Sequence, residues 1–119
     1  MQNLEVFEAQ GNTISGDIPS QLGFMSSLKQ LRLDDNFFSG SVPTNISNAA
    51  NLEKLRLDVN TLSGEIPTEI GLLTHLKELR INVNVINGTL PREIGNLGDL
   101  VELRLEGNGL SRYEYMVVN

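Results

Sequence analysis

A 24-residue internal repeat constrains this chain more than any other feature of its sequence. The four prolines are each 24 residues apart, at Pro19, Pro43, Pro67 and Pro91. Leucine, asparagine and glycine keep the same step, in the columns Leu4, Leu28, Leu52, Leu76 and Leu100, then Asn12, Asn36, Asn60, Asn84 and Asn108, and then Gly16, Gly40, Gly64 and Gly88. A fixed period of this length is typical of solenoid proteins, in which each repeat forms one coil.

All 119 residues are predicted to form one repeat domain, because the length allows a single domain and the period runs through most of it. The predicted divisions are four complete units, a partial fifth unit and a divergent tail, at residues 4–27, 28–51, 52–75, 76–99, 100–111 and 112–119. One coil cannot bury its apolar face alone, so stability must come from stacking on neighbouring coils. The tail could cap the open end or be a truncation scar, and uncapped ends could support self-association.

Residues 52–75 show the repeat unit in its clearest form. Leu55 and Leu57 flank Arg56, and this alternation predicts a short strand with both leucines turned inward. Pro67 is a bend residue on the return path of the coil. The sequence therefore predicts a parallel sheet that takes one strand from each coil.

The asparagine column predicts a structural ladder rather than a ligand site. Each of these residues follows a strand at the point where the chain turns, and a side-chain amide can donate to and accept from backbone groups that no sheet satisfies there. A surface turn asparagine would explain any single copy. Five copies in register favour the ladder, formed by Asn12, Asn36, Asn60, Asn84 and Asn108.

Charge and residue content argue against several classes of function. The chain has 9 Lys+Arg against 15 Asp+Glu, a net charge of −6, which is unlike a nucleic-acid binder. It contains no cysteine and one histidine, His75, which is predicted to lie in a solvated turn. It has no glycine-rich phosphate motif and no apolar stretch near the ~18 to 20 residues of a membrane helix. We therefore expect no enzyme, no cofactor, no metal site and no direct membrane insertion.

Outward positions on the predicted strands form three columns of mainly polar and charged side chains. In strand order they are Val6, Gln30, Lys54, Glu78 and Glu102, then Glu8, Arg32, Arg56, Arg80 and Arg104, and then Gln10, Asp34, Asp58, Asn82 and Glu106. The consecutive arginines would repel one another unless the acidic residues beside them compensate. Two interpretations follow: a lattice of ion pairs that aids solubility, or a recognition stripe for ligand carboxylates. Arg80 is predicted to be the freest arginine, because Asn82 replaces a carboxylate in its coil.

On the second interpretation, the candidate ligand-binding residues lie on or beside one face of the sheet. They are Arg32, Arg56, Arg80, Arg104, Asp34, Asp58, Lys54, Glu78 and Phe37. Phe37 could be an exposed aromatic anchor or a partly buried filler. Two sequons add candidate N-glycosylation sites at Asn45 and Asn87. Asn87 is expected to be the less accessible, because it replaces the serine of the Ser-Gly pair.

The repeat motif resembles the plant-type leucine-rich repeat. It reads LxxLxLxxNxLSGxIPxxIGxL, carried in its clearest copy by Leu52, Leu55, Leu57, Asn60, Leu62, Ser63, Gly64, Ile66, Pro67, Ile70, Gly71 and Leu73. The match extends over residues 4–111. The resemblance implies a right-handed leucine-rich-repeat solenoid, with a parallel β-sheet on the concave face and irregular or 3₁₀ structure on the convex side.

The resemblance also implies a function. Such repeats are found in the ectodomains of receptor-like kinases and receptor-like proteins, which suggests a non-catalytic module that binds a protein or peptide. The alternatives are an enzyme-inhibitor-like module, as in polygalacturonase-inhibiting proteins, and a structural or self-assembling repeat segment. We expect an extracellular or cell-surface location if the chain is part of a longer receptor-like protein, and a cytoplasmic one otherwise.

An area estimate limits what the predicted sheet can bind. Five strands at ~4.8 Å spacing, with about five residues at ~3.3 Å each, make a sheet of roughly 300–400 Å². A standard interface needs about 800 Å² from each partner. The chain alone is therefore predicted to bind weakly or to be part of a longer array.

Overall fold

The computed structural model describes residues 3–111, which form a repeating coil of short strands and 3₁₀ turns. One strand from each coil joins a five-stranded parallel sheet, which we call the front sheet. Its strands are β1 (Val6–Glu8), β3 (Gln30–Arg32), β5 (Lys54–Arg56), β7 (Glu78–Arg80) and β9 (Glu102–Arg104). They lie side by side in chain order. This architecture confirms the predicted repeat solenoid.

Register in the front sheet follows the repeat. Leu31 pairs with Leu55, and Leu55 pairs with Leu79, so equivalent residues of successive coils lie side by side. All three leucines are buried, whereas the residues on either side of them are only partly covered. The period of two along a strand thus turns one leucine into the core and two polar side chains outward.

A smaller parallel sheet, which we call the side sheet, forms beyond the asparagine column. It contains β2 (Ser15–Asp17), β4 (Phe37–Gly40) and β6 (Thr61–Leu62), and a separate pair joins β8 (Asn87–Gly88) to β10 (Gly109–Leu110). Ser39 pairs with Thr61 rather than with Ser63, its equivalent in the next repeat. The side sheet is therefore out of step with the front sheet, and it brings different repeat positions together.

Among residues 3–111, four 3₁₀ turns, one in each complete repeat unit, return the chain to the front sheet. They are η1 (Ser20–Phe24), η2 (Thr44–Asn48), η3 (Thr68–Leu72) and η4 (Arg92–Asn96). Each follows a proline with φ between −68 and −65° and an extended ψ. The proline ring fixes φ at this value, which directs the chain into the turn. Ile46, Ile70 and Ile94, from consecutive turns, are buried in the core.

Glycine within two of these turns lets neighbouring coils approach closely. A Cβ atom on Gly71 would lie 2.7 Å from the Glu93 carbonyl oxygen. A Cβ atom on Gly23 would lie 2.1 Å from the Asn45 carbonyl oxygen. Ser47 takes the equivalent position in the second coil, where its buried hydroxyl donates to a carbonyl of the same turn at 2.9 Å. Close stacking of the turns thus depends on the absence of a side chain at the two glycines.

One continuous apolar core runs along the solenoid. The leucine that opens each of the middle units is fully buried, at Leu28, Leu52 and Leu76. Burial of such a side chain contributes ~1.5–3 kcal/mol. Phe7 and Ala9 replace the strand leucines in the first coil and are only partly buried. Middle coils therefore gain burial from neighbours on both sides.

A cavity of about 260 Å³ opens beside the first coil. Its lining is mainly apolar and includes Phe7, Ile14 and Phe38. An exposed apolar surface of this kind favours association with another molecule. Self-association through the ends of the solenoid stays a prediction.

Some predictions on the chain ends fall outside the described residues. The capping role suggested for residues 112–119 is one of them. The division into a single domain with the given unit boundaries also stays a prediction. Across residues 3–111, no helix has the length and apolar character needed to cross a membrane.

Candidate functional site

The front sheet aligns its outward side chains in columns. Arg32 pairs with Arg56, Arg56 with Arg80, and Arg80 with Arg104. The neighbouring column follows the same register and contains Gln30, Lys54, Glu78 and Glu102. Successive guanidinium groups therefore line up along the sheet, and their mutual repulsion must be offset.

Two of the arginines bind carboxylates of their own coil. Arg32 donates through Nε to Asp34 Oδ1 at 3.2 Å and through Nη2 to Oδ2 at 2.9 Å. Arg104 donates through Nε and Nη2 to Glu106 Oε2, at 3.0 and 2.9 Å. The hydrogen bond to Asp34 raises the pKa of Arg32, and the hydrogen bond from Arg104 lowers the pKa of Glu106. Both pairs are thus held in their charged forms.

The two central arginines bind carboxylates of the next coil or of their own. Arg56 Nε hydrogen-bonds to Glu78 Oε2. Arg80 Nη2 lies 2.7 Å from Glu102 Oε2, whereas its Nε lies 3.4 Å from Glu78 Oε2 without the geometry of a hydrogen bond. Lys54 Nζ is 4.0 Å from Glu78 Oε1. Glu78 is therefore the centre of an ion-pair network that links neighbouring coils.

The network keeps Glu78 ionised. Burial would raise the pKa of Glu78. This effect is outweighed by the hydrogen bond and charge of Arg56, to which the charges of Lys54 and Arg80 add. The pKa of Glu78 is consequently lowered. The side chain of Glu78 is 14% exposed, so its ion pairs are less screened by water than those at the rim of the sheet.

These contacts correct two predictions. Arg80 is not the freest arginine, because it contacts Glu78 and Glu102. The prediction considered only the carboxylates of one coil, whereas parallel stacking brings those of the next coil within reach. Asp34 is not an open outward residue either, since it is buried against the guanidinium group of Arg32.

Asp58 and Asn82 stand apart from the ion-pair network. The Oδ1 atoms of both residues are buried, and the described part of the chain provides no hydrogen-bond partner for either. Burial raises the pKa of Asp58, and the charge of Asp34 adds to the rise, while a hydrogen bond from its own backbone and the charges of Arg80 and Arg56 oppose it. The polar groups left unsatisfied in this column of the front surface are therefore acceptors.

Phe37 lies beside the front sheet, not on it. It is the first residue of β4 in the side sheet, and 57% of it is exposed. Of the two predictions for Phe37, the exposed one is therefore correct. Phe37 lies beside the sheet as that prediction had it, and not on the sheet face itself, because the chain turns away from the front sheet at Asn36, one residue before Phe37.

One column that the leucine pattern leaves unassigned has an unusual backbone. Its members have φ between 56 and 75°, and they are Gly11, Asp35, Val59, Val83 and Gly107. Glycine adopts this left-handed region readily, whereas β-branched residues rarely do. The glycines at both ends of the column were the sequence signal for this conformation. Val59 and Val83 depart from it, and both are exposed.

The asparagine column connects each coil to the one before it. Asn60 Nδ2 donates to Leu33 O of the preceding coil at 3.1 Å. The same nitrogen donates to Leu57 O and Asp58 O of its own coil, at 3.1 and 3.3 Å. Asn60 Oδ1 accepts from the Phe38 amide of the preceding coil at 2.9 Å. Bonds of the same kind recur at Asn36, Asn84 and Asn108.

The candidate modification sites are both exposed. Asn45 lies in η2, and Asn87 is the first residue of β8. Asn87 was expected to be the less accessible of the two, but it is exposed like Asn45. Glycosylation of either residue stays a prediction. His75 is exposed as well. Among residues 3–111, no three His, Cys, Asp or Glu side chains are grouped so as to hold a metal ion.

Comparison with known proteins finds the same repeat. The family model described as Leucine Rich Repeat matches residues 27–49, 51–73 and 75–97. The comparison with curated proteins finds no match. One similar solved structure is the ectodomain of the plant membrane receptor kinase GASSHO1/SCHENGEN3 from Arabidopsis thaliana, in complex with CASPARIAN STRIP INTEGRITY FACTOR 2. It is 42% identical, has a TM-score of 0.91, and the match covers 92% of this chain and 13% of that chain.

Two further structures extend the likeness. The plant peptide hormone receptor RGFR1 in complex with RGF2 is 35% identical with a TM-score of 0.87, and the match covers 89% of this chain and 17% of that one. The BIR3–SERK2 complex from Arabidopsis thaliana is 37% identical with a TM-score of 0.84, and the match covers 87% of this chain and 56% of that one. This chain thus spans 13% and 17% of the GASSHO1/SCHENGEN3 and RGFR1 chains. Its repeat geometry, its three family matches and these likenesses show that it belongs to the leucine-rich-repeat family, in the plant-type form.

Proposed function

We propose that this chain is a non-catalytic binding module that holds a protein or peptide against its front sheet. The carrying observation is the set of in-register columns that the five parallel strands present outward. Similar ectodomains have been solved in complex with CASPARIAN STRIP INTEGRITY FACTOR 2 and with RGF2, which supports a peptide or protein as the ligand class. The neighbours are receptor ectodomains, and this supports a role in recognition rather than catalysis.

The ion-pair network suits the front sheet to selective binding. Arg56 and Glu78 are fixed by their mutual contact, so a ligand meets side chains that are already ordered. Ordering them costs little at the moment of binding. A ligand with a different charge pattern would place like charges against these fixed groups, which penalises wrong partners more than it strengthens the right one. We assign this role to the sequence-predicted residues that the front surface leaves at least partly exposed, which are Arg32, Arg56, Arg80, Arg104, Asp58, Lys54 and Glu78. Asp34 is buried and contributes by holding Arg32.

The size of the front sheet limits the affinity of this chain by itself. The sheet estimate of roughly 300–400 Å² is about half of what a standard partner needs. The match covers 13% and 17% of the GASSHO1/SCHENGEN3 and RGFR1 chains, so this chain corresponds to a small part of each. We therefore propose weak binding by the isolated chain, and tighter binding where further coils extend the sheet.

A cysteine scan tests the location of the binding surface without assuming the charge of the ligand. The chain has no cysteine, so each engineered one is a unique label site. Lys54→Cys places the label on the front sheet, and Thr68→Cys places it on the exposed start of η3 as the matched control. Both proteins are coupled to a bulky polyethylene glycol maleimide. Binding is measured with random peptides displayed on phage that were selected on the unmodified chain.

We expect the label at Lys54→Cys to weaken binding of the selected peptides by about ten-fold or more, because it covers the central strands. The label at Thr68→Cys should leave binding unchanged. Equal binding by the two labelled proteins would show that the front sheet is not the binding surface. Failure to select any peptide on the unmodified chain would contradict the proposed function itself.

A further inference from the structure

One of the two sequons lies on the surface that the 3₁₀ turns form, beside an exposed aromatic ring. Asn45, Ile46 and Ser47 make up this sequon within η2, and Asn45 is exposed. Phe24 is the last residue of η1 in the preceding coil, and 72% of it is exposed. The η1 and η2 turns pack against each other. The sequon and the ring therefore belong to one continuous surface.

Stacking of the two turns sets Asn45 next to Phe24. A Cβ atom on Gly23 would lie 3.5 Å from Asn45 Cβ, so the Asn45 side chain starts against the backbone of Gly23. Phe24 follows Gly23 directly. Because both Asn45 and Phe24 are exposed, their side chains leave the surface side by side, within the reach of one sugar residue.

The second coil departs from the repeat at both residues that define the sequon. The position of Asn45 holds glutamine or glutamate in the other complete units, and the position of Ser47 holds glycine. These equivalents are Gln21, Glu69 and Glu93, and Gly23, Gly71 and Gly95. Close stacking of the turns accounts for glycine at Gly23 and Gly71 rather than for a serine. Two separate departures thus combine to give the Asn-x-Ser triplet.

Leu72 is the counterpart of Phe24 in the third coil and offers an internal comparison. It is the last residue of η3, and 64% of it is exposed. Its neighbour in the next coil is Glu93, because a Cβ atom on Gly71 would lie 2.7 Å from Glu93 Cβ. The same arrangement therefore recurs there with a glutamate in place of the sequon asparagine. Of these two exposed apolar side chains, Phe24 is the one that has a sugar attachment site beside it.

We propose that Asn45 carries an N-linked glycan whose first N-acetylglucosamine packs against the ring of Phe24. The inference applies to the chain as part of a secreted or cell-surface protein, and it goes beyond binding by the front sheet. In the transfer, Asn45 Nδ2 attacks C1 of the sugar of a lipid pyrophosphate-linked oligosaccharide. The C1–N bond forms as the C1–O bond to the pyrophosphate breaks. Nδ2 gives up one proton, the lipid pyrophosphate leaves, and nothing is oxidised or reduced.

Burial of Ser47 determines when this transfer takes place. The Ser47 hydroxyl is buried and donates to Thr44 O at 2.9 Å. A transferase that recognises Asn-x-Ser needs access to the serine, and the folded turn does not give it. Transfer to Asn45 therefore precedes folding of the second coil, and folding then brings the attached sugar to Phe24.

The chemistry of the sugar fits the exposed ring. One face of N-acetylglucosamine presents mainly C–H groups, which pack against an aromatic ring while the hydroxyl groups stay in water. The sugar is tethered beside the ring, so little freedom is lost on contact. Covering roughly half of the ring, on the order of 70 Å², should raise the urea midpoint of unfolding by about 0.5 M.

The test compares the full chain with and without the sugar. Asn87→Gln is introduced throughout, so that the Asn45 sequon alone remains. The glycosylated form is secreted from eukaryotic cells that make high-mannose glycans, and an endoglycosidase trims it to a single N-acetylglucosamine. The same sequence made in bacteria supplies the form without sugar. Mass spectrometry locates the sugar, and urea unfolding compares the two forms.

We expect the sugar on Asn45 and a midpoint about 0.5 M higher with it than without it. In the Phe24→Ser variant, the same sugar should leave the midpoint unchanged. Leu72→Ser is the matched control and should retain the full effect, because Leu72 lies beside Glu93. Ser47→Gly restores the repeat residue and should prevent attachment altogether.

Proton NMR adds a readout that general stabilisation does not move. Ring current from Phe24 should shift the C–H protons of the first sugar upfield, and Phe24→Ser should abolish that shift. A secreted chain without sugar on Asn45 overturns the inference. Stabilisation of the same size in Phe24→Ser also overturns it, as does the absence of any stabilisation in the parent sequence or a loss of the effect in Leu72→Ser. All of these outcomes leave the proposed binding by the front sheet standing.

Discussion

Replacing Asn60 with alanine isolates one buried hydrogen bond of the asparagine ladder. The three carbonyls that Asn60 Nδ2 contacts all keep another donor. Leu33 O still accepts from Asn36, Leu57 O from Asn84, and Asp58 O from the amide of Asp35. The buried Phe38 amide is different, because Asn60 Oδ1 is the acceptor that the structure gives it. An unsatisfied buried amide costs about 1–3 kcal/mol, and we expect the variant to lose that much stability.

Urea unfolding measures this loss, and Asn12 supplies a matched control. With an m value of about 2 kcal/mol/M, the Asn60→Ala midpoint should fall by roughly 0.5–1.5 M. Asn12 has the same position in the first coil, but its exposed side chain donates only within its own coil, to Ala9 O and Gln10 O. Asn12→Ala should therefore shift the midpoint much less. Thr68→Ala, on the exposed start of η3, is a second control with little expected effect.

The reasoning also predicts the effect of aspartate at the same position. Asn60→Asp keeps an acceptor for the Phe38 amide but turns the second oxygen toward Leu33 O and Leu57 O, where a donor is needed. A buried charge facing carbonyl oxygens should cost more than alanine does. Equal midpoints for Asn60→Ala and Asn12→Ala would refute the account of the ladder, and so would an aspartate variant as stable as the parent protein.

Two further changes probe packing and charge. Gly71→Ala should destabilise the chain by about 1–3 kcal/mol, because the added methyl would lie 2.7 Å from Cβ and O of Glu93. Gly95→Ala is the control, since a Cβ there would have nothing within 4 Å, and it should lose far less stability in the same urea assay. The pKa of Glu78 is lowered in the folded chain, so its ion pairs stabilise the fold at any pH above the ordinary glutamate pKa of 4.5. That contribution is lost as the pH falls through the lowered pKa of the folded state. Glu78→Gln should lower the midpoint at pH 7 and flatten its decline below pH 4.5, and an unchanged acid limb would contradict the role of Arg56 and its neighbours.

Prediction of the fold from sequence succeeded because the repeat leaves few alternatives. Leucines at a fixed step can be buried together only if the coils stack, and Leu31, Leu55 and Leu79 do so in the front sheet. The prolines likewise mark the start of every 3₁₀ turn, since their fixed φ holds wherever they occur. Such features depend on local chemistry repeated in register, which a single sequence displays.

The coil, the sheet and the columns of side chains follow from periodicity, so the sequence is enough to predict them. Which charges meet depends on how the coils stack in three dimensions. Arg56 reaches a carboxylate of the next coil while Arg32 remains with one of its own, and no spacing along the chain distinguishes the two. The structure likewise decided that Val59 adopts a left-handed backbone while exposed, since this depends on how the turn is held against neighbouring coils. Contacts between coils are set by stacking in three dimensions, and they govern the electrostatics of the surface on which binding is proposed.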